Sequence, residues 1–227
     1  FCHFALCFVI FLPFLINLKL SKLKKINASI TAVGSYLPKK ILNNRDLEKI
    51  VDTTDEWIFS RTGIKERRIL DKGIGTSYMA IQAVHQIIEK KNLDPLDIDM
   101  VIVATITPDM NVSATAASVA TEIGAVNAFG YDLQAACSGF LYGMSLASSY
   151  IESGKYKNII LIGADKMSSI VDYSDRNTCI IFGDGAGAAL IQPNYEGLGM
   201  QDEFFRSDGI GRNYLRVEAG GSIMPSS

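Results

Sequence analysis

The residues with the clearest chemical potential lie in one stretch, Asp132-Leu133-Gln134-Ala135-Ala136-Cys137-Ser138-Gly139-Phe140. A run with β character, Asn127 to Leu133, leads into two alanines, and a long helical pattern begins at Cys137. A cysteine at the start of a helix meets unpaired N–H groups and the positive end of the helix dipole. Both favour an anion, so the thiolate, the nucleophilic form, is stabilised there. The small neighbours Ala135, Ala136, Ser138 and Gly139 leave room for a substrate to approach. The competing reading is a buried structural cysteine, the usual state of a free Cys. Position alone does not separate the two.

Other candidates are weaker. His85 falls in the middle of a helical pattern beside Ile81 and Ile88, which suits a surface or core-edge histidine. Cys179 reads as a buried apolar residue rather than a second nucleophile. Asp132 and Asp184 read as hydrogen-bonded structural acids. The run Phe182-Gly183-Asp184-Gly185-Ala186-Gly187 is rich in glycine but precedes a strand pattern. It does not open a helix, which argues against a phosphate-binding loop. A tight turn giving close backbone approach to the cysteine pocket fits better.

The chain has 227 residues, enough for a substantial core, and a formal net charge of −2. Residues 1–25 hold Lys19, Lys22, Lys24 and Lys25 and no acid, so the remainder carries −6. A mildly acidic body argues against nucleic-acid binding. The four cysteines (Cys2, Cys7, Cys137 and Cys179) have no metal-ligand spacing and form no disulfide framework, which indicates a reducing, cytoplasmic setting. Phe1 to Leu18 is apolar apart from His3, Pro13 and Asn17, and is borderline in length for a membrane span. It lacks the basic start and cleavage site of a signal peptide. Residues 1–25 are therefore expected to lie outside the fold, as upstream sequence or a fragment edge rather than a membrane anchor.

The elements that must position Cys137 follow from periodicity. Ile26 to Val33 is expected as a strand entering a Gly-Ser turn. Asn44 is expected to cap a short helix, and Thr53 or Thr54 to cap another that ends at Arg61. Ile64 to Leu70 reads as extended. Thr76 is expected to cap a helix reaching Lys91, with Ala80, Ile81, Val84, Ile87 and Ile88 at helical spacing. Asp99 to Thr105 is continuously apolar after its first residue, as in a parallel strand buried on both faces. Ser113 to Ile123 reads as a helix. The cysteine helix is expected to end at Gly154, and further strands run from Asn158 to Ala164 and from Ala186 to Gln192. Strands alternating with helices specify an α/β fold with a mostly parallel sheet.

Several segments, in order, resemble the β-ketoacyl-[acyl-carrier-protein] synthase III family of the thiolase superfamily. They are Gly34 to Pro38, Thr54 to Ile58, Arg61 to Ile64, the Cys137 stretch, Asp175 to Thr178, and Phe182 to Ala188. The resemblance spans about Ile26 to Pro193. It implies a layered fold of two βαβαβαββ halves, with the first half in residues 26–195, the start of a connecting segment in 196–227 (Gly199 to Phe205 as a strand) and the second half absent. It implies that Cys137 takes an acyl group from an acyl-CoA primer, and that malonyl-[acyl-carrier-protein] then condenses with it. The His and Asn that serve this second stage in the family belong to the absent half, so the activity of the chain as given is open. The resemblance further implies that Trp57 and Arg176 sandwich the CoA adenine, Thr53 bonds its edge, and Arg61 meets the CoA phosphates. Phe182 would form a pocket wall. Val112 would fall where a partner subunit of a homodimer completes the primer pocket. No metal and no permanently bound cofactor are implied. The alternatives are another thiolase-superfamily cysteine acyltransferase and a non-catalytic half that binds CoA or only assembles.

Overall fold

The computed structural model describes residues 25–225. The expectation for the apolar N-terminal segment lies outside the described residues, except at Lys25. In chain order the strands are β1 (Asn27–Tyr36), β2 (Lys40–Asn43), β3 (Glu66–Ile69), β4 (Met100–Ala104), β5 (Phe129–Leu133), β6 (Ile159–Lys166) and β7 (Asp184–Asn194). The α-helices are α1 (Asn44–Leu47), α2 (Asp55–Thr62), α3 (Thr76–Lys91), α4 (Thr115–Glu122) and α5 (Gly139–Glu152).

Five strands form one sheet in the order β1-β7-β6-β4-β5, and β2 pairs with β3 in a separate antiparallel ribbon. β4 runs parallel to both β5 and β6, whereas β7 runs antiparallel to its neighbours β6 and β1. Leaving aside the insertion from β2 to β3, the order is βαβαβαββ, the layered α/β arrangement expected. The central strands alternate side chains between two apolar layers. Met100, Ile102, Ile159 and Leu161 pack with Ala147 and Ile151 of α5. Val101, Val103, Ile160 and Ile162 pack on the other face with Ala80, Val84 and Ile87 of α3 and with Ala116 and Val119 of α4. Because both faces are covered, β4 and the first six residues of β6 are apolar throughout, which made them visible in sequence.

Glycines bring the layers close. On α5, Gly139, Gly143 and Ala147 recur every four residues and turn one small-residue stripe to the sheet. A Cβ on Gly143 would sit 2.4 Å from Leu161 Cδ1, and one on Gly139 3.1 Å from Ala104 Cβ. Gly163 of β6 receives the Phe140 ring, where a Cβ would lie 3.3 Å from Cδ2.

Four local expectations are corrected. Gly34 and Ser35 continue β1 rather than turn. A Cβ on Gly34 would lie 2.0 Å from the Ala83 carbonyl oxygen, so the glycine admits α3 against the strand. The cap of α1 is Asn43, which forms a reciprocal capping box with Asp46, while Asn44 is buried. Thr76 does not cap α3. Its hydroxyl donates to the Thr107 carbonyl (2.6 Å), and Asp109 accepts from the Ser77 N–H (2.9 Å) in place of a local cap. Gly199 to Phe205 has no strand structure; Met200 donates one backbone bond to Ala28. That bond is not continued into a ladder, and Gln201, Asp202 and Glu203 that follow are exposed.

Among the described residues, no helix is long and apolar enough to cross a membrane.

The close layer contacts carry a graded expectation for chemical denaturation. Gly34→Ala forces a methyl onto backbone and should cost about 3 kcal/mol or more, and Gly143→Ala about 1–3 kcal/mol, because a fully buried leucine must give way. Gly187→Ala, with no atom near its added methyl, should stay within about 0.5 kcal/mol of wild type. Equal stability of all three variants would contradict the packing described.

Candidate active site

Cys137 does not open α5 itself. It occupies a 3-10 turn, Ala136–Ser138, wedged between β5 and the helix, whose first residue is Gly139. The Ser138 N–H donates to the Ala135 carbonyl (3.1 Å) and the Gly139 N–H to the Ala136 carbonyl, so the Cys137 N–H is in neither bond. Ala136 has φ +45°, in the left-handed region that costs a residue with a Cβ. A strained residue directly before an exposed cysteine is the kind of local cost retained where it orients a functional group.

The cysteine borders a cavity of about 270 Å³. Ala136 and Phe140 line it from the turn and the helix, Ala104 from the end of β4, Gly163 to Asp165 from the end of β6, and Gly183 and Gly185 from around the start of β7. The cavity thus lies at the carboxyl ends of the parallel strands, where α/β sheets bind ligands. The glycine-rich run does give close backbone approach here, as read from sequence. Phe182 is not among the lining residues; Phe140 supplies the aromatic wall, because its ring is drawn onto Gly163.

Asp165 was missed in sequence. Its Oδ1 accepts from the Thr105 hydroxyl (3.0 Å), the Ile106 N–H (2.9 Å) and the Thr107 hydroxyl (2.9 Å), which ties the loop after β4 to the end of β6. Its place at a strand end beside the cysteine was the available signal. Asp132 and Asp184 are structural acids, as expected. Asp132 accepts from the N–H groups of Thr115 (2.7 Å) and Ala116 (2.8 Å) at the start of α4. Asp184 is buried and accepts from the Leu70 and Ser168 N–H groups and the Ser168 hydroxyl. Cys179 is buried, and burial pushes its thiol pKa up. His85 is exposed on α3 and does not line the cavity.

A second cluster gathers three more of the residues singled out. Thr54 caps α2, its hydroxyl accepting from the Trp57 N–H (3.1 Å). Trp57 and Arg61 are one turn apart on this helix, and the Arg61 guanidinium lies 4.3 Å from the Trp57 ring centroid. Arg176, from the segment before β7, lies 4.6 Å from the same ring and donates to the Asp52 carbonyl (3.0 Å). Thr53 Oγ1, next to that carbonyl, is buried and makes no hydrogen bond within the described residues. The sandwich expected from sequence is closed here: Arg176 rests directly on the indole, and a planar base enters only if that guanidinium backs away by one stacking distance. Val112 stands apart in the loop before α4, fully exposed and with φ +77°. The described residues contain no group of three or more His, Cys, Asp or Glu arranged to hold a metal ion.

Residues 131–209, the segment carrying both the cysteine turn and Arg176, match the family model for 3-oxoacyl-[acyl-carrier-protein] synthase III. The chain is 53% identical over 206 residues to β-ketoacyl-[acyl-carrier-protein] synthase III 2 of Bacteroides thetaiotaomicron, covering 90% of this chain and 62% of that protein. Among solved structures it resembles 3-oxoacyl-[acyl-carrier-protein] synthase III from Aquifex aeolicus, with 49% identity and a TM-score of 0.70 over 73% of this chain and 53% of that one. It also resembles the priming β-ketosynthase of the R1128 polyketide pathway, with 35% identity and a TM-score of 0.73 over 76% and 52% of the two chains. The chain spans about 62% of the length of the curated relatives it matches. The sheet order, the cysteine turn and these likenesses agree: over the part of the fold that it spans, this chain is similar to the 3-oxoacyl-[acyl-carrier-protein] synthase III family.

Proposed function

We propose that this chain carries the acyl-accepting site of an initiating condensing enzyme of type II fatty-acid synthesis. The observation that carries the reading is Cys137, exposed in a strained turn at the mouth of a cavity formed by strand ends. In the first stage its sulfur attacks the thioester carbonyl of an acyl-CoA primer such as acetyl-CoA. A new C–S bond forms, the bond to CoA breaks, and CoA leaves as the thiol. The Cys137 N–H, in neither bond of the turn, is suited to the developing oxyanion. Trp57, Arg61 and Arg176 offer the CoA nucleotide a ring and two guanidinium groups, and the unpartnered Thr53 hydroxyl a bond to the adenine edge. Acyl-CoA is thus a substrate, with no permanently bound cofactor.

In the second stage malonyl-[acyl-carrier-protein] loses carbon dioxide, and the resulting carbanion attacks the acyl-cysteine to give 3-oxoacyl-[acyl-carrier-protein]. In the reading given above, the His and Asn for this stage belong to a second half. The homodimer and the cytoplasmic setting belong to the same proposal. β5 is a sheet edge with only β4 beside it among the described residues, which leaves backbone groups for a partner strand. A second reading, a half that binds CoA without completing the condensation, is favoured by one observation: no histidine is among the cavity-lining residues.

Acetyl-CoA and malonyl-[acyl-carrier-protein] mixed with the intact protein should yield 3-oxoacyl-[acyl-carrier-protein], and Cys137→Ala should lower this at least about a thousandfold. Product from the variant at the wild-type rate would overturn the nucleophile. CoA binding without product would favour the second reading. Under native conditions iodoacetamide should modify Cys137 well before Cys179, because the latter is buried with a raised thiol pKa; mass spectrometry of the two peptides decides. Val112→Phe should change the preference between acetyl and branched primers, and identical profiles would remove Val112 from the pocket.

A further inference from the structure

The two partners of the indole–guanidinium stack come from segments far apart in sequence: Trp57 from α2, and Arg176 from the turns before β7. The side chain of Arg67 on β3, only 3% exposed, bonds to a neighbour of each segment. Its Nε and Nη2 both donate to the Ile180 carbonyl, and its Nη1 donates to Asn44 Oδ1. Among the described residues no carboxylate stands within ion-pair distance of it. A buried cation held by neutral acceptors alone is costly, and burial lowers its pKa. The guanidinium is therefore retained for where its donors point.

Both arms lead to the stack. Asn44, itself buried, donates from Nδ2 to Asp55 Oδ1 (2.7 Å) and to the Ile64 carbonyl (2.9 Å). Asp55 is the first residue of α2, and Ile64 follows its Gly63 cap, so one amide grips both ends of the helix that bears Trp57 and Arg61. On the other arm, the Asp175 carbonyl accepts from the N–H groups of Thr178 (3.3 Å) and Cys179 (3.0 Å), which folds residues 175–179 around Arg176. The Ile180 carbonyl, immediately beyond, is the group that Arg67 holds.

Resting on the CoA reading above, we infer that Arg67 is a positioning residue for nucleotide recognition: through Asn44 and the Ile180 carbonyl it sets the separation of Trp57 and Arg176, and so the affinity for the adenine end of the acyl donor. It touches neither the donor nor Cys137. Its removal should therefore weaken donors that carry the nucleotide and spare those that lack it.

The test compares acetylation of Cys137 in the intact protein by acetyl-CoA and by the acetyl thioester of N-acetylcysteamine, which has no nucleotide. Emission from Trp57, the single tryptophan, reports the stack directly. Arg67→Met should lower affinity for acetyl-CoA about tenfold, shift the Trp57 emission, and leave acetylation by the short donor within about threefold of wild type. Asn44→Ala, which cuts only the arm to α2, should give a smaller loss of the same kind. Unchanged discrimination between the donors in both variants, with unchanged emission, overturns the positioning role and leaves the CoA reading standing. Equal loss on both donors in both variants also overturns it. A wild-type protein that shows no preference for the CoA ester overturns the CoA reading, and the positioning role with it.

Discussion

The structure depends on how closely α5 can approach the sheet. Gly139 and Gly143 on the helix and Gly163 on β6 remove the side chains that would hold the layers apart. The start of the helix then settles onto the ends of β4 and β6. In the turn before it, Ala136 takes a left-handed conformation. This places Cys137 beside the strand ends with its thiol exposed, while most of the surrounding side chains are small. A helix set farther from the sheet would leave a shallow surface in place of the cavity.

The ribbon of β2 and β3 links this cavity to the indole–guanidinium stack. At its end the Leu70 N–H donates to Asp184, which opens β7 between two cavity glycines. In its middle Arg67 reaches toward the stack through Ile180 and Asn44. A single short strand therefore contacts the supports of both clusters. Gly183 permits this, because a Cβ there would press within 3.2 Å of the Arg67 side chain and the Arg68 carbonyl. Sulfur and stack are carried by separate elements on one frame, which suits a donor long enough to engage both.

The layered core was legible in sequence because burial on both faces removes polar residues from β4 and from β6 up to Ala164, and α3 shows helical spacing. Cys137 and the Trp57 cluster were legible through motif. What composition could not show was which groups meet across the fold. Gly34 looks like a turn residue until Ala83 is seen against it. Phe182 is the pocket wall that the resemblance implies, whereas the Phe140 ring, packed on Gly163, lines the cavity. Asp165 acts through partners 58 or more residues away and Arg67 through partners 23 and 113 residues away, so the sequence shows at most that Asp165 ends a strand and not what either residue binds. Thr76 and Asn44 were misread as caps because each side chain donates to a distant carbonyl in place of its own helix start.

The claim beneath the whole account is that the sulfur in the turn before α5 accepts an acyl group. The most direct measurement is brief mixing of the intact protein with carbon-13-labelled acetyl-CoA, followed by quenching in acid and peptide mass analysis. The account predicts a labelled acetyl group on the peptide containing Cys137 and none on the peptide containing Cys179. Label on Cys179, or a folded protein with no label on either peptide, would contradict it.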